Sequence, residues 1–186
     1  MPAIKKITKE IILTACKKII EKEGEEKLNA RYIAHYLNCT TQPIYDEFKN
    51  MEELKIELSD FIRNFYYSFI NENIKTLKEN NMYLKYVKSY LKFSQTYPNL
   101  YKFIFLNSKY QDSENDKMFN ENIIKMIQEK GNYSNKSATD FFLLTWFISM
   151  GISLILTNKN YNYDINEINV LLEESFEAFK KYFEGK

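Results

Sequence analysis

Glycine and proline are scarce, at four and three among 186 residues. Sheet-rich and dinucleotide-binding folds place glycine at many turns, so this scarcity predicts helices joined by short loops. There is one histidine, His35, and there are two cysteines, Cys16 and Cys39. That set is too small for a zinc finger, a disulfide framework or most metal hydrolases. A Ser-His-Asp or Cys-His unit would have to use His35, which has no carboxylate beside it. We therefore expect no enzyme, no metal site and no cofactor. Charge of one sign is also lacking: 26 basic against 25 acidic residues give a formal net charge of +1, which excludes a polybasic tail or an acidic buffer. The opening residues MPAIKKITK hold no apolar core of a secretory signal. Two unpaired thiols suit a reducing compartment, so the expected location is the cytoplasm.

What the sequence does have is the 3.6-residue period of amphipathic helices nearly throughout. Ile7, Ile11, Ile12, Ala15, Cys16, Ile19 and Ile20 form one stripe, with Thr8 as a cap and Gly24 as a stop, predicting a helix over 8–23. A short helix follows Asn29, and another is expected from Thr40 through Phe48. Asn50-Met-Glu-Glu53 is a capping box opening a long helix that carries Leu54, Leu58, Phe61, Phe65 and Phe69. Further helices are expected over 82–96, near 100–107, from Met118 to Gly131, over 135–157 and over 165–184, with a loop from Ser108 to Asp116. Only four aromatics precede residue 55 among 14 Phe, 15 Tyr and one Trp. The reading is all-α: a three-helix head over 1–50 and a larger helical body over 51–186.

Phe141 to Thr157 is a run without charge, shorter than the roughly 20 apolar residues of a membrane span. It is broken by Thr145, Ser149, Ser153 and Thr157 along one face, and the following helix bears Ile168, Leu172, Phe176, Phe179 and Phe183 on a single stripe. Such a pair suits the interface of a homodimer rather than a membrane, with Ser149, Gly151 and Ser153 allowing close approach.

The most informative stretch is LNARYIAHYLNCTTQPIYDEFKNMEEL, residues 28–54. A short helix, a tight turn and a second short helix make a helix-turn-helix pattern. Ile33 and Ala34 pack the first helix, Thr40 would cap the second, and Pro43 sits in its first turn, where a missing N–H costs nothing. Thr41, Gln42 and Pro43 stand at the exposed end, where small or hydrogen-bonding side chains can read base edges in a major groove. Residues 1–54 carry nine basic and nine acidic groups. Lys5, Lys6 and Lys9 cluster at one end and Glu21, Glu23, Glu25 and Glu26 at the other, while Asp46 and Glu47 would repel a phosphate backbone that came too near.

Ala15, Glu23-Gly24, Leu28-Asn-Ala-Arg31, Ile33-Ala34, Thr40, Ile44-Tyr45, Phe48, Asn50, Glu52 and Leu54 together resemble the DNA-binding head of the tetracycline-repressor (TetR) family of bacterial transcription regulators. The resemblance covers about 50 residues directly. It implies a DNA contact from Arg31, phosphate contacts from Thr40 and Tyr45, and base reading by Thr41, Gln42 and Pro43. Asn38 stands where the family has a turn glycine, Gln42 where it commonly has glycine, and Met51 where it has a phosphate-contacting lysine, for which Lys49 is the candidate substitute. The implied function is a repressor that binds a pseudo-palindromic operator in double-stranded DNA as a homodimer and is released by a small hydrophobic or aromatic effector. Tyr86, Tyr90, Phe103 and Trp146 are the candidate ligand contacts. Two alternatives stay open: a DNA-binding regulator controlled by a protein partner or by no effector, and a helical interaction or membrane-associated module whose head does not engage DNA.

Overall fold

A computed structural model describes residues 7–107, 114–158 and 164–184, and all regular structure among them is helical. The helices are α1 (Lys9–Glu23), α2 (Ala30–Tyr36), α3 (Gln42–Glu47), α4 (Met51–Thr76), α5 (Met82–Thr96), α6 (Pro98–Tyr101), α7 (Glu114–Gly131), α8 (Asn135–Leu156) and α9 (Ile165–Glu184). A 3₁₀ turn, Glu25–Lys27, follows α1, and a π-helical turn, Lys102–Leu106, follows α6.

Local chemistry accounts for most boundaries. Thr8 caps α1 by accepting from the Ile11 N–H at 3.4 Å, and Gly24 ends it at φ 89°, a left-handed value that favours glycine. Asn29 caps α2 from the Tyr32 N–H at 3.0 Å. Asn50 accepts from the Glu53 N–H at 2.9 Å, while the Glu53 carboxylate takes the Lys49 N–H. Ser134 caps α8, and Asp164 accepts from the Asn166 N–H ahead of α9. Helix α7 starts at Glu114, inside the stretch expected to be loop, and 108–113 of that stretch lie outside the described residues.

The described residues of Met1–Tyr67 and Tyr97–Gln111 form one compact unit, and those of Ser68–Thr96 and Asp112–Lys186 form a second. In the first, Ile12, Cys16, Ile19, Ile20, Ile33, Ile44 and Leu54 are buried together with Leu100, Tyr101 and Phe103. Burial pushes the Cys16 thiol up to about 12, so it behaves as a small hydrophobe. Arg63 is buried here and donates to the Ile104 carbonyl of the π turn at 2.7 Å. Asn99 Nδ2 donates to the Glu21 carbonyl at 3.2 Å, and Asn107 Nδ2 donates to Glu25 at 3.0 Å.

In the second unit α8 packs on α5, α7 and α9. Thr145, Ser149, Ser153 and Thr157 all point inward. Burial of these hydroxyls is cheap where they bond within the helix: Thr145 donates to the Phe141 carbonyl at 2.9 Å and Ser149 to the Thr145 carbonyl at 2.7 Å. The stripe expected to meet another copy through Ser149 and Ser153 is therefore used inside the chain. The same holds for Ile168, Leu172, Phe176 and Phe183 of α9, all buried within their own unit. Apolar side chains that face outward include Leu144, Trp146, Phe147 and Leu154 from α8 and Val170 and Leu171 from α9, with Gly151 in open space. Among the described residues α8 alone is long and apolar enough to cross a membrane.

Candidate nucleic-acid interface

Two short helices and their turn build this surface. Helix α2 closes with Cys39 N–H donating to the Ala34 carbonyl at 2.9 Å and Asn38 N–H to the His35 carbonyl at 3.1 Å. That is a Schellman pair, and it requires its middle residue to be left-handed. Asn38 has φ 53°, a region that asparagine tolerates, so it does the work of a turn glycine.

Helix α3 starts at Gln42, two residues later than expected, and its N-cap is Thr41 rather than Thr40. Thr41 makes no side-chain cap bond, for a local reason. An N-cap hydroxyl accepts from the second or third helical N–H. The second helical residue is Pro43, which has none, and the third, Ile44, already donates to the Thr41 carbonyl at 3.1 Å. Thr40 is left exposed outside the helix.

Ile44 and Phe48 turn inward and fasten α3 to the first unit's core. The opposite side of the motif presents Arg31, Thr40, Gln42, Tyr45 and Lys49 to solvent, with Tyr45 47% exposed, while Thr41 and Pro43 are half-buried. Five of the seven residues assigned to DNA contact are thus exposed. His35 is exposed on α2.

Charge is arranged mostly in pairs. Tyr32 donates to Glu23, Lys55 Nζ meets Glu25 at 2.8 Å, and Lys17 meets Glu21 at 3.4 Å. These bonds occupy three members of the acidic cluster. Lys9 pairs with Glu57 and also lies over the Phe48 ring, whereas Lys5 and Lys6 lie outside the described residues. Gln42 Nε2 donates to Asp46 Oδ1 at 2.8 Å, so Asp46 is the partner of a reading residue as well as a nearby negative charge. The Gln-x-x-x-Asp spacing was the signal for that pairing.

The second unit holds a cleft of about 170 Å³ between the ends of α7, α8 and α9 and the start of α5. Its walls include Tyr83, Tyr133, Phe141 and Phe176, with Lys130, Lys180 and Glu184 also lining it. Tyr133 stacks on Phe141 at 6.1 Å between ring centres, and Phe141 meets Phe176 edge-on at 5.2 Å. Burial pushes the Tyr83 phenol well above its usual range, and burial followed by Glu184 and Glu177 raises that of Tyr133. None of Tyr86, Tyr90, Phe103 and Trp146 lines this cleft. Phe103 belongs to the first unit, Tyr90 is buried in the second, Tyr86 meets Phe119 edge-on, and Trp146 is 38% exposed. The aromatic bias of the body gave no means of singling out Tyr83 and Tyr133. Among the described residues no group of three or more His, Cys, Asp or Glu side chains is placed to hold a metal ion.

No protein-family model matches the sequence, and no curated protein is significantly similar to it. Solved structures are similar over nearly the whole chain. A point variant of TetR from Acinetobacter baumannii AYE, in complex with minocycline, superposes with TM-score 0.66 at 15% identity, covering 96% of this chain and 97% of that one. A TetR-family transcriptional regulator from Streptomyces coelicolor gives 0.61 at 14% identity, covering 92% and 96%. TetR from Acinetobacter baumannii AYE gives 0.58 at 15% identity, covering 96% and 91%. A helix-turn-helix near one end and an all-helical remainder, aligned end to end with these proteins, give the chain a TetR-like fold.

Proposed function

We propose that the protein is a DNA-binding transcriptional regulator, acting as a homodimeric repressor whose operator affinity is lowered by a small apolar or aromatic effector. The observation that carries the DNA reading is the surface of the helix-turn-helix: α3 is held by buried Ile44 and Phe48 while Gln42 and Tyr45, like Arg31 and Lys49 nearby in the chain, are exposed. Side chains of these types match the donors and acceptors of base edges and phosphates. The TetR-like fold supports the same reading.

The outward apolar surface of α8 and α9 favours a second copy over lipid. On α9 exposed Glu173, Glu174 and Glu177 follow directly on Val170 and Leu171, and carboxylates at the rim of an apolar patch suit a protein interface. Two copies would place two α3 helices for successive major grooves, on half-sites roughly 34–36 Å apart or slightly more. The aromatic cleft at Tyr83 and Tyr133 supports the effector reading, as does the minocycline held by one structural neighbour.

Selection from random duplex DNA tests the proposal. The wild type should enrich a pseudo-palindrome and bind it with an affinity that falls steeply as salt rises. Tyr45→Phe should weaken all sequences about equally, since a phosphate contact carries no base information. Enrichment of no sequence would leave the helical interaction module as the better reading.

A further inference from the structure

We propose that Asp46 is a specificity-determining residue that orients the Gln42 amide so that it selects adenine at one position of each half-site. The inference rests on the DNA-binding reading above. Gln42 and Asp46 are both exposed, four residues apart, and so lie on one face of α3. Gln42 Nε2 donates to Asp46 Oδ1 at 2.8 Å. A carboxylate only accepts hydrogen bonds, so turning the amide over would set the Gln42 carbonyl oxygen against a carboxylate oxygen. The bond therefore fixes which end of the amide is which.

One Gln42 N–H is committed to Asp46. The second N–H and the carbonyl Oε1 remain, one donor and one acceptor. In the major groove adenine offers the complement, an N7 acceptor beside an N6 amino donor. Guanine presents two acceptors, N7 and O6, and would bring O6 against Oε1. Thymine supplies only an acceptor and cytosine only a donor, so each leaves half of the amide unmatched. A glutamine without this tether could turn its amide to suit the base it meets.

Asp46 also has an electrostatic effect of opposite sign. A carboxylate beside the reading residue disfavours the phosphates of any duplex, whatever its sequence. Removing it should therefore flatten discrimination at one base pair without weakening binding to DNA in general. Damage to the fold would lower both together.

The test begins with the sequence enriched by the wild type and locates the base pair whose preference Gln42→Ala abolishes. Affinities are then measured for all four bases there, using the wild type, Asp46→Ala and Asp46→Glu, with helix content checked by circular dichroism. Wild type should prefer adenine to guanine by roughly tenfold or more, the scale of one bidentate contact. Asp46→Ala should lose most of that preference at this position only and bind non-specific DNA at least as well as wild type. Asp46→Glu, which keeps an acceptor one turn away, should retain a preference for adenine. Full adenine preference in Asp46→Ala, or a wild-type preference for another base at the Gln42-dependent position, overturns the inference and leaves the DNA-binding reading intact. Failure of the wild type to enrich any sequence overturns the DNA-binding reading itself.

Discussion

Tyr32 shares its single hydroxyl proton between both carboxylate oxygens of Glu23, at 2.7 and 2.8 Å, and so ties the first turn of α2 to the last residue of α1. The bond joins the two helices that precede the turn.

The hydrogen bond to Glu23, then burial and the Glu23 charge, hold the Tyr32 phenol above its usual value of 10.0. A raised folded-state pKa means that the protonated form is the one the fold stabilises. The contribution is present below about pH 10, the unfolded value, and is lost as pH rises through the folded one. The difference in ultraviolet absorbance between wild type and Tyr32→Phe during alkaline titration should therefore show one tyrosine ionising above the usual range. A midpoint at or below the usual value would mean that the bond does not persist in solution.

Phe147 is 57% exposed on α8 and Leu171 is 61% exposed on α9, whereas Phe176 is only 5% exposed. Phe147→Glu and Leu171→Glu should give folded monomers by sedimentation. Phe176→Ala should instead lower stability by about 3–5 kcal/mol, the usual cost of emptying a large aromatic site, without first dissociating the protein. Dimers that survive both glutamate substitutions would place the interface elsewhere.

A methyl group on Gly131 would come within 2.1 Å of the Tyr133 ring, which folds back over the end of α7 to stack on Phe141. Gly131→Ala should cost about 1–3 kcal/mol through this overlap. In a Tyr133→Ala background most of that cost should vanish, because the overlapping ring is gone. An unchanged cost in the double variant would trace it to the backbone instead.

Helix ends were legible wherever a cap or stop residue fixed them, as at Thr8, Gly24, Asn29 and Asn50. The inward face of α8 was not. A helix apolar nearly all round gives no contrast to orient it, and a threonine or serine can bury its hydroxyl by bonding to a carbonyl one turn back, as Thr145 does. At the site, the residues facing solvent could be read from the pattern that buries Ile44 and Phe48. The missing cap bond of Thr41 could not, because it depends on Pro43 lacking an N–H and on the Thr41 carbonyl already taking that of Ile44. Asp46 was legible as a charge, and its four-residue spacing from Gln42 was the available sign of their bond.

The unit that contains α1, α2 and α3 is made from two separate lengths of chain. Leu100, Tyr101, Phe103 and Ile104 are among its most deeply buried side chains, yet they follow α5, which belongs to the other unit. This imposes an order on synthesis. A chain emerging from the ribosome exposes its helix-turn-helix dozens of residues before the side chains that complete the core behind it, so the head cannot reach its final stability while the first 67 residues are alone outside. A stop codon or proteolytic cut after α4 would release the whole reading motif with its supporting core unfinished, and such a fragment should be a far poorer competitor for DNA than its intact surface residues suggest.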